Sequence, residues 1–149
     1  MLRGMSTVLA ALPPEFLQVS FSERMIPGRE PVGLTEGSNC QRYAYAVLRH
    51  FGLSVPDLRS SELWADEEVL TTVSEPEPLD LVLFAASPDP WGAHVGVYLG
   101  GVEVLHLCKE VGVPVVWDFK DFAEREHYRS LIGFKRVRTS SHVPSGDMS

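Results

Sequence analysis

Apolar residues follow two different periods along this chain, and the change from one to the other outlines its architecture. Between residues 39 and 51, Cys40, Tyr43, Ala44, Val47, Leu48 and Phe51 recur at helical spacing and form one apolar stripe. Ser38, with Gln41 three residues on, reads as a capping box for that helix, and Gly52 stands where a glycine ends one. A shorter helix is expected to start near Ser60 or Ser61 and to carry Leu63 and Trp64. Beyond the breaker Glu75-Pro76-Glu77-Pro78, the apolar positions tighten into strand-like runs at 79–84, 94–99 and 102–108. Gly100-Gly101 joins the last two and marks a hairpin. Asp118 reads as the N-cap of a short helix to about 126, and 131–137 as a closing strand. Helices first, then antiparallel strands with one more helix before the last, is an α+β order. It predicts an N-terminal helix packed on an antiparallel sheet of about five strands.

Length and charge narrow the setting. A chain of 149 residues suits one domain, expected over 1–138, with a Pro- and Gly-rich irregular lead-in at 1–37 and a small, polar, disordered tail at 139–149. Thirteen basic against twenty acidic side chains leave a net charge of −7, which repels a nucleic-acid backbone and an anionic membrane surface. Neither is expected as a partner. The basic cluster Lys135-Arg136-Val137-Arg138 reads as a solvated strand edge. No stretch reaches the roughly 20 apolar residues of a membrane span. The apolar run 8–12 is stopped by Pro13-Pro14 with no cleavage site after it, so no secretory signal is read. The expectation is a cytoplasmic protein with reduced thiols, with export by a non-classical route left open.

The chemistry-bearing residues sit at the ends of these elements. Cys40 takes the second helical position if Ser38 is the cap, where free N–H groups and the helix dipole favour a thiolate. The same N–H groups can hold an oxyanion. His94 opens a strand 54 residues later, and His106 follows on the next strand after twelve more. A two-residue turn at Gly100-Gly101 pairs Leu99 with Val102 and sends His106 to the wrong face. A three-residue loop, 99–101, pairs Tyr98 with Val102 and sets His94 directly opposite His106, with Cβ atoms about 4.5–5.5 Å apart. Cys40, His94 and His106 then make a nucleophile, a base and a group that orients the base. Each has a plainer reading: a free Cys is often a small core residue, and a His at a strand start is often a bystander. Cys40, His94, His106 and Cys108 are also the right types for a zinc site, though none shows tight Cys-x-x-Cys spacing. No metal or other cofactor is expected.

Three segments carry a resemblance. Asn39-Cys40-Gln41-Arg42-Tyr43-Ala44-Tyr45-Ala46-Val47 resembles the Asp-Cys-Ser-Gly helix of the NlpC-type cell-wall peptidases. Pro78-Leu79-Asp80-Leu81-Val82-Leu83-Phe84 resembles their Pro-Gly-Asp-Leu-Val-Phe-Phe strand, and Ala93-His94-Val95-Gly96-Val97-Tyr98-Leu99-Gly100 their Ser-His-Val-Gly-Ile-Tyr-Leu-Gly strand. His106 falls where that family places its third catalytic residue. The resemblance implies a papain-like fold and hydrolysis of amide bonds in bacterial cell-wall stem peptides, commonly next to γ-D-glutamate. It implies Cys40 as nucleophile, His94 as base, His106 as orienter and Asp80 as structural. A small peptide or peptidoglycan fragment is the implied partner, with Asn39, Gln41 and Trp91 as candidate substrate contacts. Asn39, Gln41 and Arg42 stand where the family has Asp, Ser and Gly, and 25–37 lacks the family's Tyr-x-Trp-Gly-Gly stretch. Two alternatives stay on the same fold: an acyltransferase, whose thioester is resolved by a nucleophile other than water, and an inactive binding module.

Overall fold

The apolar stripe that begins at Cys40 folds as helix α2 (Cys40–His50) in the computed structural model, which describes residues 7–22 and 39–138. Tyr43, Ala44, Val47 and Leu48 are buried along it, and Tyr45 joins them. Burying each Val or Leu of such a stripe contributes about 1.5–3 kcal/mol over leaving it exposed. Ser38, the expected cap, lies outside the described residues. The cap is Asn39, whose Oδ1 accepts the Arg42 N–H at 2.9 Å, so Cys40 is the first helical residue rather than the second. At the other end, Gly52 adopts a φ of +86° that L side chains rarely take. Its N–H donates to the Arg49 carbonyl at 3.0 Å and the Leu53 N–H to Leu48 at 2.9 Å, the paired bonds of a Schellman stop. Two buried tyrosines brace the helix from its flanks. The Tyr43 hydroxyl donates to the Phe16 carbonyl at 2.6 Å, and that of Tyr45 to the Leu58 carbonyl at 2.7 Å.

Six strands, rather than about five, form one antiparallel sheet. They are β1 (Leu70–Val73), β2 (Leu81–Ala85), β3 (His94–Gly100), β4 (Glu103–His106), β5 (Val115–Asp118) and β6 (Ser130–Val137), in the order β1-β6-β2-β3-β4-β5. The unanticipated pair, β1 and β5, are four residues each. β1 is a short Leu-Thr-Thr-Val piece amid acidic residues, and β5 runs straight into the Asp118 cap, which masks its end. Helix α3 (Ser60–Ala65) forms as expected, whereas α4 stops early (Phe119–Ala123) and a 3-10 turn follows at Glu126–Tyr128. The described part of the lead-in is not irregular: α1 (Thr7–Ala11) and a 3-10 turn (Pro14–Leu17) lie there, and Val8, Leu12 and Val19 are buried. The tail 139–149 lies outside the described residues.

Strand alternation divides the sheet into two faces with separate covers. Leu81, Leu83, Val95, Val97, Leu105 and Leu107 pack with α2 and Leu63 of α3. Val82, Phe84, Tyr98 and Val104 point the other way, under Phe119, Phe122 and Tyr128 from α4 and the turn after it. Two ion-pair anchors hold the frame. Asp80 is buried and takes two hydrogen bonds from Arg136, each 2.9 Å, and it accepts the Glu77 N–H at 2.7 Å. Lys135, read above as a solvated edge residue, is fully buried, because β6 lies between β1 and β2. Its Nζ donates to the Trp64 and Asp66 carbonyls, Glu67 and Thr72, tying the corner between α3 and β1 to the sheet.

The β3–β4 hairpin sets the site. Val97 pairs with Leu105, Tyr98 with Val104 and Gly100 with Glu103, with a register shift between Tyr98 and Gly100. The direct opposition of His94 and His106 is therefore not what forms. Continued down the strands, this register puts His106 beside Gly96 and makes His94 its diagonal neighbour. The irregularity keeps both histidines on one face all the same, as a simple two-residue turn would not. Gly96 is what lets His106 lean across. A Cβ on Gly96 would stand 2.6 Å from Val104 Cγ1 and 3.2 Å from His106 Cβ.

Candidate active site

His94 and His106 are joined directly: His94 Nε2 lies 2.8 Å from His106 Nδ1. Both rings are buried among aromatic side chains. Tyr128 stacks on His94 at 4.6 Å between centroids and 29° between planes. His106 meets Trp117 at 4.4 Å and Phe122 at 4.6 Å. Arg125 lies over the Trp117 ring, 3.8 Å from its centroid, and is held there by Glu110 through Nε at 3.0 Å. This dry setting disfavours an imidazolium. Burial pushes His94 down to about 3. Burial, then the adjacent His94, then Arg125 hold His106 well below the usual imidazole range.

The hydrogen bond also bears on which nitrogens carry protons. His106 Nε2 is buried and has no hydrogen-bond partner. A proton there faces aromatic rings, which accept N–H groups weakly, whereas a bare lone pair would face nothing that donates. With its proton on Nε2, His106 accepts at Nδ1 from His94 Nε2–H. His94 Nδ1 is then left as a free base.

Cys40 reaches the same place from the opposite face of the sheet, because α2 starts where β3 starts. Its side chain and that of His94 line one cleft of about 330 Å³, with Asn39, Gln41, Cys108 and Tyr128 among its other walls. The backbone N–H groups of Val95, Gln41 and Cys40 itself all favour a thiolate on Cys40. On these donors alone a helix start favours an activated thiolate. Cys40 keeps part of its surface in the cleft, yet burial is the larger effect and pushes its thiol up to about 11. At neutral pH the site holds a neutral thiol beside neutral imidazoles.

The other sequence candidates separate. Asn39 lines the cleft and caps α2, and Gln41 lines the cleft and a second cavity next to it. Trp91 is 78% exposed and belongs to that second cavity, not to the Cys40 cleft. The zinc alternative is not supported, because the two facing histidine nitrogens bond each other instead of converging on one point. Among the described residues no three His, Cys, Asp or Glu side chains are grouped to hold a metal ion. Tyr128 and Phe122 were missed from the sequence. Each is an isolated aromatic without a motif, and only the return of α4 and the 126–128 turn over the sheet brings them to the histidines.

The fold and site together define an α+β papain-like domain with a Cys at a helix start and a bonded His pair on the neighbouring strands. No protein-family model matches the sequence, and no curated protein matches it. Solved structures do match in fold. The NlpC/p60 domain of the peptidoglycan hydrolase SagA is similar with a TM-score of 0.53 at 21% identity, over 83% of this chain and 91% of that one. The peptidoglycan hydrolase RipB from Mycobacterium tuberculosis gives a TM-score of 0.52 at 16% identity, over 93% and 75%. A lipoprotein-like NLP/P60 family protein from Staphylococcus aureus gives 0.53 at 21%, over 85% of this chain but only 42% of its own. At these identities the likeness is one of fold, and the fold is that of NlpC/P60 domains.

Proposed function

We propose that this chain is a cysteine-dependent amide hydrolase acting on small peptides of the cell-wall stem type. The observation that carries the reading is the 2.8 Å bond from His94, which lines the cleft that also holds Cys40, to the buried His106 behind it. Two buried neutral imidazoles in contact add little to a core that apolar residues fill better, whereas a base held in one tautomer beside a nucleophile is a catalytic need. In this reading His94 Nδ1 takes the Cys40 proton as sulfur attacks the scissile carbonyl. The imidazolium that forms is steadied by His106 Nδ1, which accepts from its Nε2–H. The N–H groups gathered around the sulfur are suited to hold the oxyanion. The protonated His94 then passes its proton to the departing amine, and water resolves the thioester. Likeness in fold to two peptidoglycan hydrolases supports stem peptides as the substrate class.

The test is release of free amines from purified stem peptides by the full chain and by Cys40→Ala, His94→Ala and His106→Ala. Cys40→Ala is expected to abolish turnover. His94→Ala is expected to lose about 10²–10⁴-fold, the usual share of a general base, and His106→Ala less. Equal, complete losses in well-folded His94 and His106 variants would contradict the assigned roles. Activity in Cys40→Ala would end the reading.

A further inference from the structure

His94 is held at two places, and only one of them belongs to the Cys40, His94 and His106 set. Behind it, His106 Nδ1 fixes the Nε2 corner at 2.8 Å. One bonded corner leaves an imidazole loose, because the torsion about its Cβ–Cγ bond is broad and roughly two-fold. Where His94 Nδ1 points therefore depends on what lies against the ring faces. His106 meets the ring edge-on, at 88°, and Phe122 stands 6.3 Å away at 42°. Among the described residues Tyr128 alone is stacked on it, at 4.6 Å and 29°. Tyr128 also lines the cleft with Cys40 and His94. Its hydroxyl does not fasten it there. Tyr43, Tyr45 and Tyr98 each donate to a backbone carbonyl, whereas Tyr128 has no such bond among the described residues. The turn Glu126–Tyr128 does not sink it into the core either, since none of its three residues is buried. Ring contacts hold it, with His94 nearest and Phe122 and Trp117 at 6.0 and 6.2 Å.

We infer that Tyr128 is a positioning residue for His94, its ring a plate that sets the imidazole plane and keeps cleft water off one face. It acts through the base and touches no reacting atom. The inference rests on the hydrolase reading and adds to it a residue from outside the three resembling segments. The titratable groups that touch the ring or share its cleft are His106 from β4, Cys40 from α2, Cys108 and Lys109 after β4, and Tyr128. β2, which pairs with the start of β3, carries none. On α4 and the turn after it, Asp118 and Asp121 bond each other's N–H groups in the helix cap, and Glu126 and His127 are exposed. Arg125 lies over Trp117 and is paired with Glu110. Burial, rather than any of these charges, is what keeps a proton off His94. Phe122 and Trp117 are buried in the core, whereas Tyr128 is half-buried on a surface turn. It is therefore the cover of His94 that can be altered without emptying the core.

The test uses the full chain in two measurements. One is NMR titration of its ¹⁵N-labelled histidines without substrate. The other is kcat and KM against pH on the stem tetrapeptide L-Ala-γ-D-Glu-L-Lys-D-Ala. Tyr128→Phe keeps the plate, Tyr128→Leu keeps an apolar cover without the stack, and Tyr128→Ala removes both. The His94 midpoint, near 3 in the native chain, is expected to stay low in the Phe and Leu variants. In Tyr128→Ala it is expected to rise above about 5, toward the ordinary 6.5, because water reaches the ring. The kcat profile of Tyr128→Ala should then gain an acid limb at that midpoint, which the native profile lacks. At pH 7, kcat should fall about tenfold in the Leu and Ala variants with KM changed less than about twofold, and Tyr128→Phe should keep the native value. The Leu and Phe pair decides the matter even where Tyr128→Ala does not fold. A His94 midpoint still below about 4 in a folded Tyr128→Ala, or a Phe variant as impaired as Leu, overturns the inference. Lowered thermal midpoints with native pH profiles and native kcat overturn it too, since the ring would then be structural only. If the native chain cleaves no stem peptide while the His94 midpoint moves as expected, the cover on His94 stands and the hydrolase reading falls. Cleavage that ignores Tyr128, with an unmoved midpoint, leaves the hydrolase standing and removes the plate.

Discussion

The neutral state of the Cys40–His94 pair has a direct kinetic consequence. Alkylating reagents attack the thiolate, so the rate at a given pH follows the thiolate fraction. With burial holding the thiol near 11, about one Cys40 in 10,000 is ionised at pH 7. An ordinary cysteine at 9.0 is ionised about a hundred times more often. With His94 held near 3, no imidazolium is present at neutral pH to draw the proton off. Labelling of Cys40 by iodoacetamide, followed by mass spectrometry of its peptide from pH 5 to 10.5, should therefore rise about tenfold per pH unit. It should show no shoulder, and at pH 7 it should run about a hundredfold slower than a cysteine in a short unstructured peptide. A rate that levels off between pH 5 and 8 would mean a standing thiolate–imidazolium pair. The helix start would then outweigh burial, and the order of effects argued for this site would be reversed. Turnover need not be slow on this account. His94 is free to act as a base at every pH above about 3, and the proton moves only as sulfur attacks.

Other outcomes follow from the same surroundings. His94 drops from 6.5 in an open chain to about 3 when buried, so the unfolded chain binds more protons in that window. Stability should be full above pH 6.5 and decline as pH falls, by about 2 kcal/mol from this group alone at pH 5. Urea unfolding should show a shallower decline in His94→Gln than in the native chain, the remainder coming from His106, which is also held low; parallel slopes would contradict the burial. Gly96→Ala should lower the thermal midpoint and break the His94–His106 contact, because its Cβ meets Val104 and His106 at 2.6 and 3.2 Å. The check is loss of activity together with changed histidine ¹⁵N shifts, and an unchanged His pair would refute the account of Gly96.

What could be read from the sequence was whatever a local pattern writes down. The stripe of α2 and the Gly52 stop follow from periodicity and a single left-handed residue, and the structure contains both. The face shared by His94 and His106 followed from parity alone, since an odd loop or a bulge both preserve it. Their exact pairing did not, because it depends on where the irregularity falls, between Tyr98 and Gly100, and no residue there announces it. The strands β1 and β5 were missed for a related reason: four residues are too few to show alternation against acidic or capping neighbours.

The charge state of the site was illegible for a deeper reason. A helix start offers N–H donors wherever it occurs, so the sequence supports a thiolate at Cys40 on local grounds. Whether the donors win depends on what covers the sulfur and the rings, and those groups come from distant segments. Val95 supplies a donor across the sheet, while Trp117, Phe122 and Tyr128 enclose the histidines from a stretch with no recognisable motif. Donors act through a few short contacts, whereas desolvation sums over the whole enclosure, and here the enclosure is aromatic on most sides. The aromatic enclosure of the rings also favours the His94–His106 bond, because a hydrogen bond is stronger in dry surroundings. A base that is always unprotonated, and always in one tautomer, is thus obtained by giving up a preformed thiolate.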